Sequence, residues 1–353
     1  MSEWTVRTLL KSTAAWLGKR GSPSAKLDAE LLLGHVLEQS RTQLYMHSDR
    51  PVTEEERATF RALVQRRATG EPVAYLTGTK GFWTLDLEVD ARVLVPRPET
   101  EHVVELALRY TRQFTHRAWR IVDVGTGSGA LALALASELP EATVLATDIS
   151  AGALEVARSN AERLGLRDRV KFAQADGLAP LASRPGSVDL IVSNPPYVAE
   201  DDPAMEDAVR RFEPSVALFA DEDGYGVIRR LLPQAARALA PGGALLMEFG
   251  VRQGDTLRRL GREHFASAYL SPDYTGRDRV LVALAHGEAT WPKATAEPEA
   301  GEGADTPEAG DGADAPETAA EPEAADYASM TPAERSLLEA QEAGLPIIDL
   351  DAE

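Results

Sequence analysis

The feature that most limits what this chain can become lies at residues 119–129. A strand over Ile121 to Val124 runs into the motif Asp123-Val124-Gly125-Thr126-Gly127-Ser128-Gly129 and gives way to a stretch of Ala and Leu. A strand that turns straight into a helix through alternate glycines is the opening unit of an open α/β sheet. The texture then repeats, with a strand over Val144 to Thr147, a helix carrying Leu154 and Val156, and a strand over Val170 to Phe172. Leu190 to Val192, Ala244 to Phe249 and Val280 to Leu284 read as further strands, with a helix over Ile228 to Leu239. A doubly wound α/β sheet over residues 97–286 is the expectation.

Upstream, the period changes. Val6, Leu9, Leu10, Ala14 and Leu17 recur at three- and four-residue steps as far as Gly18, which puts one apolar stripe on a helix. Ser22-Pro23 opens a second run with Leu27, Leu31 and Leu37 on one side. Thr53 and Glu56 have capping-box spacing, with Phe60, Leu63 and Val64 as the buried face behind them. Residues 1–72 are therefore expected to form a small helical-bundle domain. Over 73–96 the pattern turns toward alternation, through Gly78, Gly81, Phe82, Trp83, Leu85, Leu87, Val89 and Val93, and predicts a β-hairpin linker.

Charge divides the chain as sharply as periodicity does. The net charge is -19, yet residues 287–353 hold 18 Asp/Glu against two Lys/Arg, which leaves 38 acids and 35 bases for residues 1–286. The tail, rich in Ala, Glu, Pro and Gly, is expected to be disordered, with a short helix over 331–343 and a small docking segment over 345–350. The near-neutral body lacks the clustered Lys and Arg of a phosphate-backbone binder, so no direct nucleic-acid partner is expected. The absence of cysteine excludes disulfides, thiolate metal centres and a cysteine nucleophile. His35, His47, His102, His116, His264 and His286 show no ligand spacing, and no metal is expected. Residues 1–12 carry no signal pattern, and no apolar stretch approaches the ~20 residues of a membrane span. A soluble cytoplasmic monomer is the expectation.

Four strand ends carry the chemistry. Glycines at the turn after the first strand let backbone approach a ligand closely. Alone, that turn also suits a plain tight turn or, with different spacing, a dinucleotide site. Nineteen residues after Gly129, Asp148 ends the second strand, the position from which a carboxylate can accept ribose hydroxyls. Asp176 ends the third and suits an adenine amino group, though before Gly177 it is equally a turn former. The deciding element is Asn194-Pro195-Pro196-Tyr197 at the exit of the fourth. A planar amide or aniline-like nitrogen is a poor nucleophile because its lone pair is delocalised. The Asn194 side-chain oxygen and the Pro195 carbonyl can accept both N–H bonds of one NH2 group and aim that lone pair at a methyl donor. Two prolines stiffen the backbone, and Tyr197 offers a flat wall. No general base is needed, since the nitrogen grows more acidic as it is methylated.

With these motifs the chain resembles the bacterial release factor N5-glutamine methyltransferases, the PrmC/HemK family of class I S-adenosylmethionine-dependent methyltransferases. The resemblance covers nearly all of residues 1–286. It includes Glu71-Pro72-Val73-Ala74-Tyr75-Leu76-Thr77-Gly78, Val93-Leu94-Val95-Pro96-Arg97-Pro98-Glu99-Thr100-Glu101, Arg211-Phe212-Glu213-Pro214, Glu248-Phe249-Gly250 and Asp273-Tyr274-Thr275-Gly276-Arg277. It implies a Rossmann-like catalytic domain and a helical domain that helps engage a protein substrate. That substrate would be the glutamine of the Gly-Gly-Gln loop in class-1 peptide chain release factors. On this resemblance Gly125, Thr126, Gly127, Ser128, Gly129, Asp148 and Asn194 hold S-adenosylmethionine, which leaves as S-adenosylhomocysteine, with Asp176 and Gly177 beside its adenine. Asn194, Pro195, Pro196 and Tyr197 form the catalytic, glutamine-binding loop, and Arg97, Pro98 and Glu99 border the cofactor entrance. Two features depart from the family pattern: Gly177, where relatives place a bulky aromatic, and the acidic tail. A ribosomal-protein glutamine methyltransferase, an adenine-N6 nucleic-acid methyltransferase and a noncatalytic nucleoside-binding module are the alternatives. The first differs only in substrate, the second needs a way to capture a base, and the third has no use for Asn194.

Overall fold

The computed structural model describes residues 4–114, 118–203 and 205–287. The expected disordered tail over 287–353, with its short helix and docking segment, lies outside the described residues except for Gly287.

Five helices come first: α1 (Val6–Gly18), α2 (Ala25–Leu37), α3 (Arg41–Met46), α4 (Glu54–Ala68) and α5 (Val73–Thr77). Thr5, Ser40 and Thr53 each close a capping box, so α1, α3 and α4 start with their orphan amides satisfied by local side chains. Val6, Leu17, Leu32, Leu33, Leu44, Phe60, Val64 and Leu76 make one core between them. The stripe expected on α2 is corrected: Leu31 is 38 % exposed, while Leu32 and Leu33 are fully buried. α2 packs against α1, α4 and α5 together, so its buried surface is too wide for a single three-four stripe to locate. The buried Asp28 accepts hydrogen bonds from Ser22, Ser24 and the Arg67 guanidinium, tying α2 to α4.

The linker is also corrected. Residues 73–77 are helical rather than extended, and α5 ends at Gly78 in the left-handed region. A two-stranded hairpin follows, β1 (Thr79–Phe82) paired antiparallel with β2 (Leu85–Glu88). Trp83, expected within the alternation, is a turn residue at positive φ.

The remaining strands are β3 (Arg120–Val124), β4 (Thr143–Asp148), β5 (Val170–Gln174), β6 (Val188–Ser193), β7 (Leu239–Glu248), β8 (Ser267–Pro272) and β9 (Asp278–Leu284). They form one seven-stranded sheet in the order β5-β4-β3-β6-β7-β9-β8. The first five are parallel, and β9 runs antiparallel to both its neighbours. The longer helices around it are α6 (Glu101–Thr111), α7 (Ala130–Glu138), α8 (Ala151–Arg163), α12 (Gly226–Ala238) and α13 (Gly254–His264). The short α9 (Asp207–Phe212), α10 (Ser215–Leu218) and α11 (Asp221–Gly224) lie between β6 and α12. Every residue of β6 and all but the first of β3 are buried, as expected of parallel strands covered on both faces.

The strand order places the site. From β3 the chain moves to β4 and β5 on one side, then returns to β6 on the other, which opens a crevice at the carboxyl ends of β3 and β6. Val124 pairs with Ser193 and with Thr147, so the chain leaves β3, β4 and β6 at one level. Gly125 and Asn194 follow β3 and β6, and Asp148 is the last residue of β4.

Candidate active site

The turn after β3 is built from three left-handed glycines, Gly125, Gly127 and Gly129, with φ of +73°, +54° and +88°. A side chain there would be strained at each step, and glycine removes that penalty. The Gly125 and Thr126 amides donate to the Thr147 carbonyl, and the Gly127 amide donates to Asp148 Oδ2 at 2.9 Å. Asp148 Oδ1 accepts the Ser150 amide at 2.9 Å. Burial raises the Asp148 pKa above the usual carboxylate range, opposed by these backbone N–H groups.

Behind the turn, Asp123 is fully buried. Its Oδ2 accepts from the Thr126 hydroxyl at 2.6 Å and the Ala132 amide at 3.1 Å. Its Oδ1 is buried without a hydrogen-bond partner among the described residues. Desolvation pushes this carboxyl up to about 7 against those two hydrogen bonds.

A cavity of ≈ 400 Å³ opens over the turn, within the range of small-molecule sites. Gly125 to Ser128, Asp148, Asp176, Gly177 and Asn194 to Pro196 all lie on its wall. Gly129 and Tyr197 do not: Gly129 caps α7, and Tyr197 packs against the core beside the sheet. The expected border of Arg97, Pro98 and Glu99 is displaced, since the wall is made by the flanking Pro96 and Thr100. Arg97 turns away to pair with the buried Glu213 at 2.6 Å, and Glu213 also accepts the Val95 amide at 3.1 Å, which pins this segment.

Asn194 is held by its own side chain. Its Nδ2 donates to Thr100 Oγ1 at 3.0 Å, and the Thr100 hydroxyl donates to Glu248 Oε2 at 2.6 Å. The Tyr197 hydroxyl donates to Glu248 Oε1 at 3.2 Å. At the other end of the cavity, Gly177 has φ of +56°, and a Cβ there would lie 2.6 Å from Gln234 Oε1. That oxygen accepts the Leu178 amide at 2.8 Å. Gln234, also on the cavity wall, thus occupies space that an aromatic at 177 would need.

Residues 8–78 match the PrmC N-terminal domain, and residues 108–217 match the methyltransferase small domain. A release factor glutamine methyltransferase of Aliivibrio fischeri is 40 % identical over 279 residues, covering 79 % of this chain and 96 % of that protein. The protein of the same name from Xylella fastidiosa is 45 % identical over 263 residues, 74 % of this chain and 94 % of the other. The chain belongs to the release factor glutamine methyltransferase family. A solved protein-(glutamine-N5) methyltransferase (release factor-specific) from Alicyclobacillus acidocaldarius shares 29 % identity over 57 % of this chain and 99 % of its own, with a TM-score of 0.36.

For a member of this methyltransferase family, sequence reasoning missed four residues that shape the site. Asp123 and Thr100 stood inside quoted motifs without a role, as did Glu248, and Gln234 carried no signal at all. Among the described residues no cluster of His, Cys, Asp and Glu suits a metal ion, and no helix is long and apolar enough to cross a membrane.

Proposed function

We propose that the chain transfers a methyl group from S-adenosylmethionine to the side-chain amide nitrogen of the glutamine in the Gly-Gly-Gln loop of class-1 peptide chain release factors. One observation carries this reading in a chain of this family: a single cavity wall joins the glycine turn and Asp148 to Asn194, Pro195 and Pro196. The donor set fits the cofactor. Asp123 Oδ1, buried at the cavity and without a hydrogen-bond partner among the described residues, suits an ammonium, and the Asp148 and Asp176 carboxylates suit ribose hydroxyls and an adenine amino group. Gly125 to Gly129 let the backbone approach closely. When bound, the cofactor supplies an electrophilic methyl group on a positively charged sulfur.

The chain's own work is alignment. Asn194 Oδ1 and the Pro195 carbonyl accept the two N–H bonds of the glutamine amide, which favours a pyramidal nitrogen with its lone pair directed at the methyl. Pro195 and Pro196 keep the loop from relaxing, and Tyr197, packed on the core with its hydroxyl on Glu248, anchors the loop's far end. No residue need act as a base, because the methylated nitrogen releases its proton to water. Residues 1–72 would engage the release factor, residues 73–96 link, and residues 97–286 catalyse. Such a substrate places the reaction in the cytoplasm.

The test is methyl incorporation from isotope-labelled S-adenosylmethionine into release factor with Gly-Gly-Gln or Gly-Gly-Ala in its loop. Label in the first and none in the second is expected. Equal labelling of both would refute the assignment.

A further inference from the structure

We propose that Thr100 and Glu248 are positioning residues that fix which way the Asn194 amide faces, so that its oxygen, not its NH2 group, meets the substrate nitrogen. This rests on the glutamine-methylating reading above. A hydroxyl has a single hydrogen, and Thr100 gives its own to Glu248 Oε2 at 2.6 Å. Toward Asn194 it can therefore only accept, and the group it accepts from is Nδ2 at 3.0 Å. Asn194 Oδ1 is turned the other way, and no described residue donates to it. The second carboxylate oxygen of Glu248 takes the Tyr197 hydroxyl, so one buried group steadies both ends of the Asn-Pro-Pro-Tyr loop.

The fold brings these groups together from far apart. Thr100 precedes α6, Asn194 follows β6 and Glu248 ends β7, next to Met247, the partner of Ser193. Glu248 is 1 % exposed and Thr100 4 %. A carboxylate buried so deeply is expensive to keep ionised. Beyond Thr100 and Tyr197, the charges that act on it are Glu99, which repels, and Arg279, which attracts. Burial outweighs the attraction and the hydrogen bonds and pushes Glu248 up to about 7. Protonated, Glu248 would donate to Thr100, and Thr100 would then be free to donate to Asn194 Oδ1. The amide would flip and offer N–H to N–H. Glu248 is not itself the base, because both its oxygens are engaged by protein hydroxyls.

The test compares wild type with Thr100→Val, Thr100→Ser, Glu248→Gln, Asn194→Ala and the Thr100→Val/Asn194→Ala double variant. Thr100→Val is expected to lower kcat about tenfold to a hundredfold with KM for release factor nearly unchanged. Cofactor Kd by calorimetry should stay within about threefold, and Thr100→Ser should restore most of the rate. Added to Asn194→Ala, Thr100→Val should cost less than about twofold more, since it acts through that side chain. A wild-type kcat in Thr100→Val, or full additivity in the double variant, overturns the proposal. A wild-type enzyme that leaves release factor unmethylated counts against the substrate reading instead. A spectroscopic titration then decides the positioning role without substrate: the Asn194 side-chain NH2 signal should shift with pH near neutrality in wild type and not in Glu248→Gln. A signal indifferent to pH in both overturns it.

Discussion

Asn194 and Asp148 share a cavity wall, and the proposed mechanism gives them separable work that substitution should tell apart. On the proposed mechanism Asn194→Ala removes the acceptor that aims the reacting nitrogen, and it is expected to lower kcat by about a hundredfold to a thousandfold, with cofactor affinity nearly unchanged. Near-normal turnover in that variant would contradict the alignment mechanism. Asp148→Ala removes a charged acceptor that the Gly127 and Ser150 amides hold in place. It should weaken cofactor binding about tenfold to a hundredfold, measured by calorimetry. Unchanged affinity would mean that the ribose contact lies elsewhere. Both residues were legible in sequence because each follows a recognisable strand. Thr100, Glu248 and Gln234 were not legible as site residues, because their partners are set by the fold, and Asp123, whose partners Thr126 and Ala132 are local, shows its unpaired oxygen only once the strand is buried. Thr100 meets Glu248 across 148 positions, and Gln234 meets Leu178 across 56.

The turn between β3 and α7 is the element on which the site depends. At Gly129 a Cβ would sit in left-handed backbone 2.9 Å from Leu133 Cδ1. Gly129→Ala is therefore expected to destabilise the chain by about 1–2 kcal/mol, read as a lower urea midpoint with unchanged slope. An unshifted midpoint would show that the turn relaxes freely. This turn, the parallel strands and the Thr53 capping box were readable because glycine spacing, buried apolar runs and cap residues act locally. Other elements were not. α5 hides in a sequence that also alternates, the buried face of α2 is set by three neighbours at once, and α6, α13 and β8 were not anticipated. In α13 only Leu257 and Leu260 supply buried apolar side chains among charged residues, too few to announce a helix.

For the whole molecule, the buried carboxyls make stability depend on pH. Glu248, ordinarily near 4.5, is pushed up to about 7. Between those values the folded state holds a proton that the unfolded chain has lost, so this group's contribution falls as pH rises through that window and is flat above it. Glu56, lowered chiefly by the Arg50 hydrogen bond, works in the opposite sense and loses its contribution as pH falls. Glu248→Gln removes only the first slope. Its urea stability relative to wild type should therefore rise between about pH 5 and about pH 7.5, and a constant difference would contradict the burial argument. Removal of residues 288–353 should leave kcat/KM on release factor within about twofold of the full chain. The relatives support this, since 74–79 % of this chain spans 94–96 % of theirs. A large loss would give the acidic tail a part in substrate capture. Methylation of the Gly-Gly-Gln glutamine can be read by mass spectrometry of release factor incubated with the full chain and S-adenosylmethionine, in the tryptic peptide that holds the loop. The expected result is the gain of one CH2 on that glutamine, lost in Asn194→Ala. A methyl group on another residue, or none at all while calorimetry shows the cofactor bound, would contradict it.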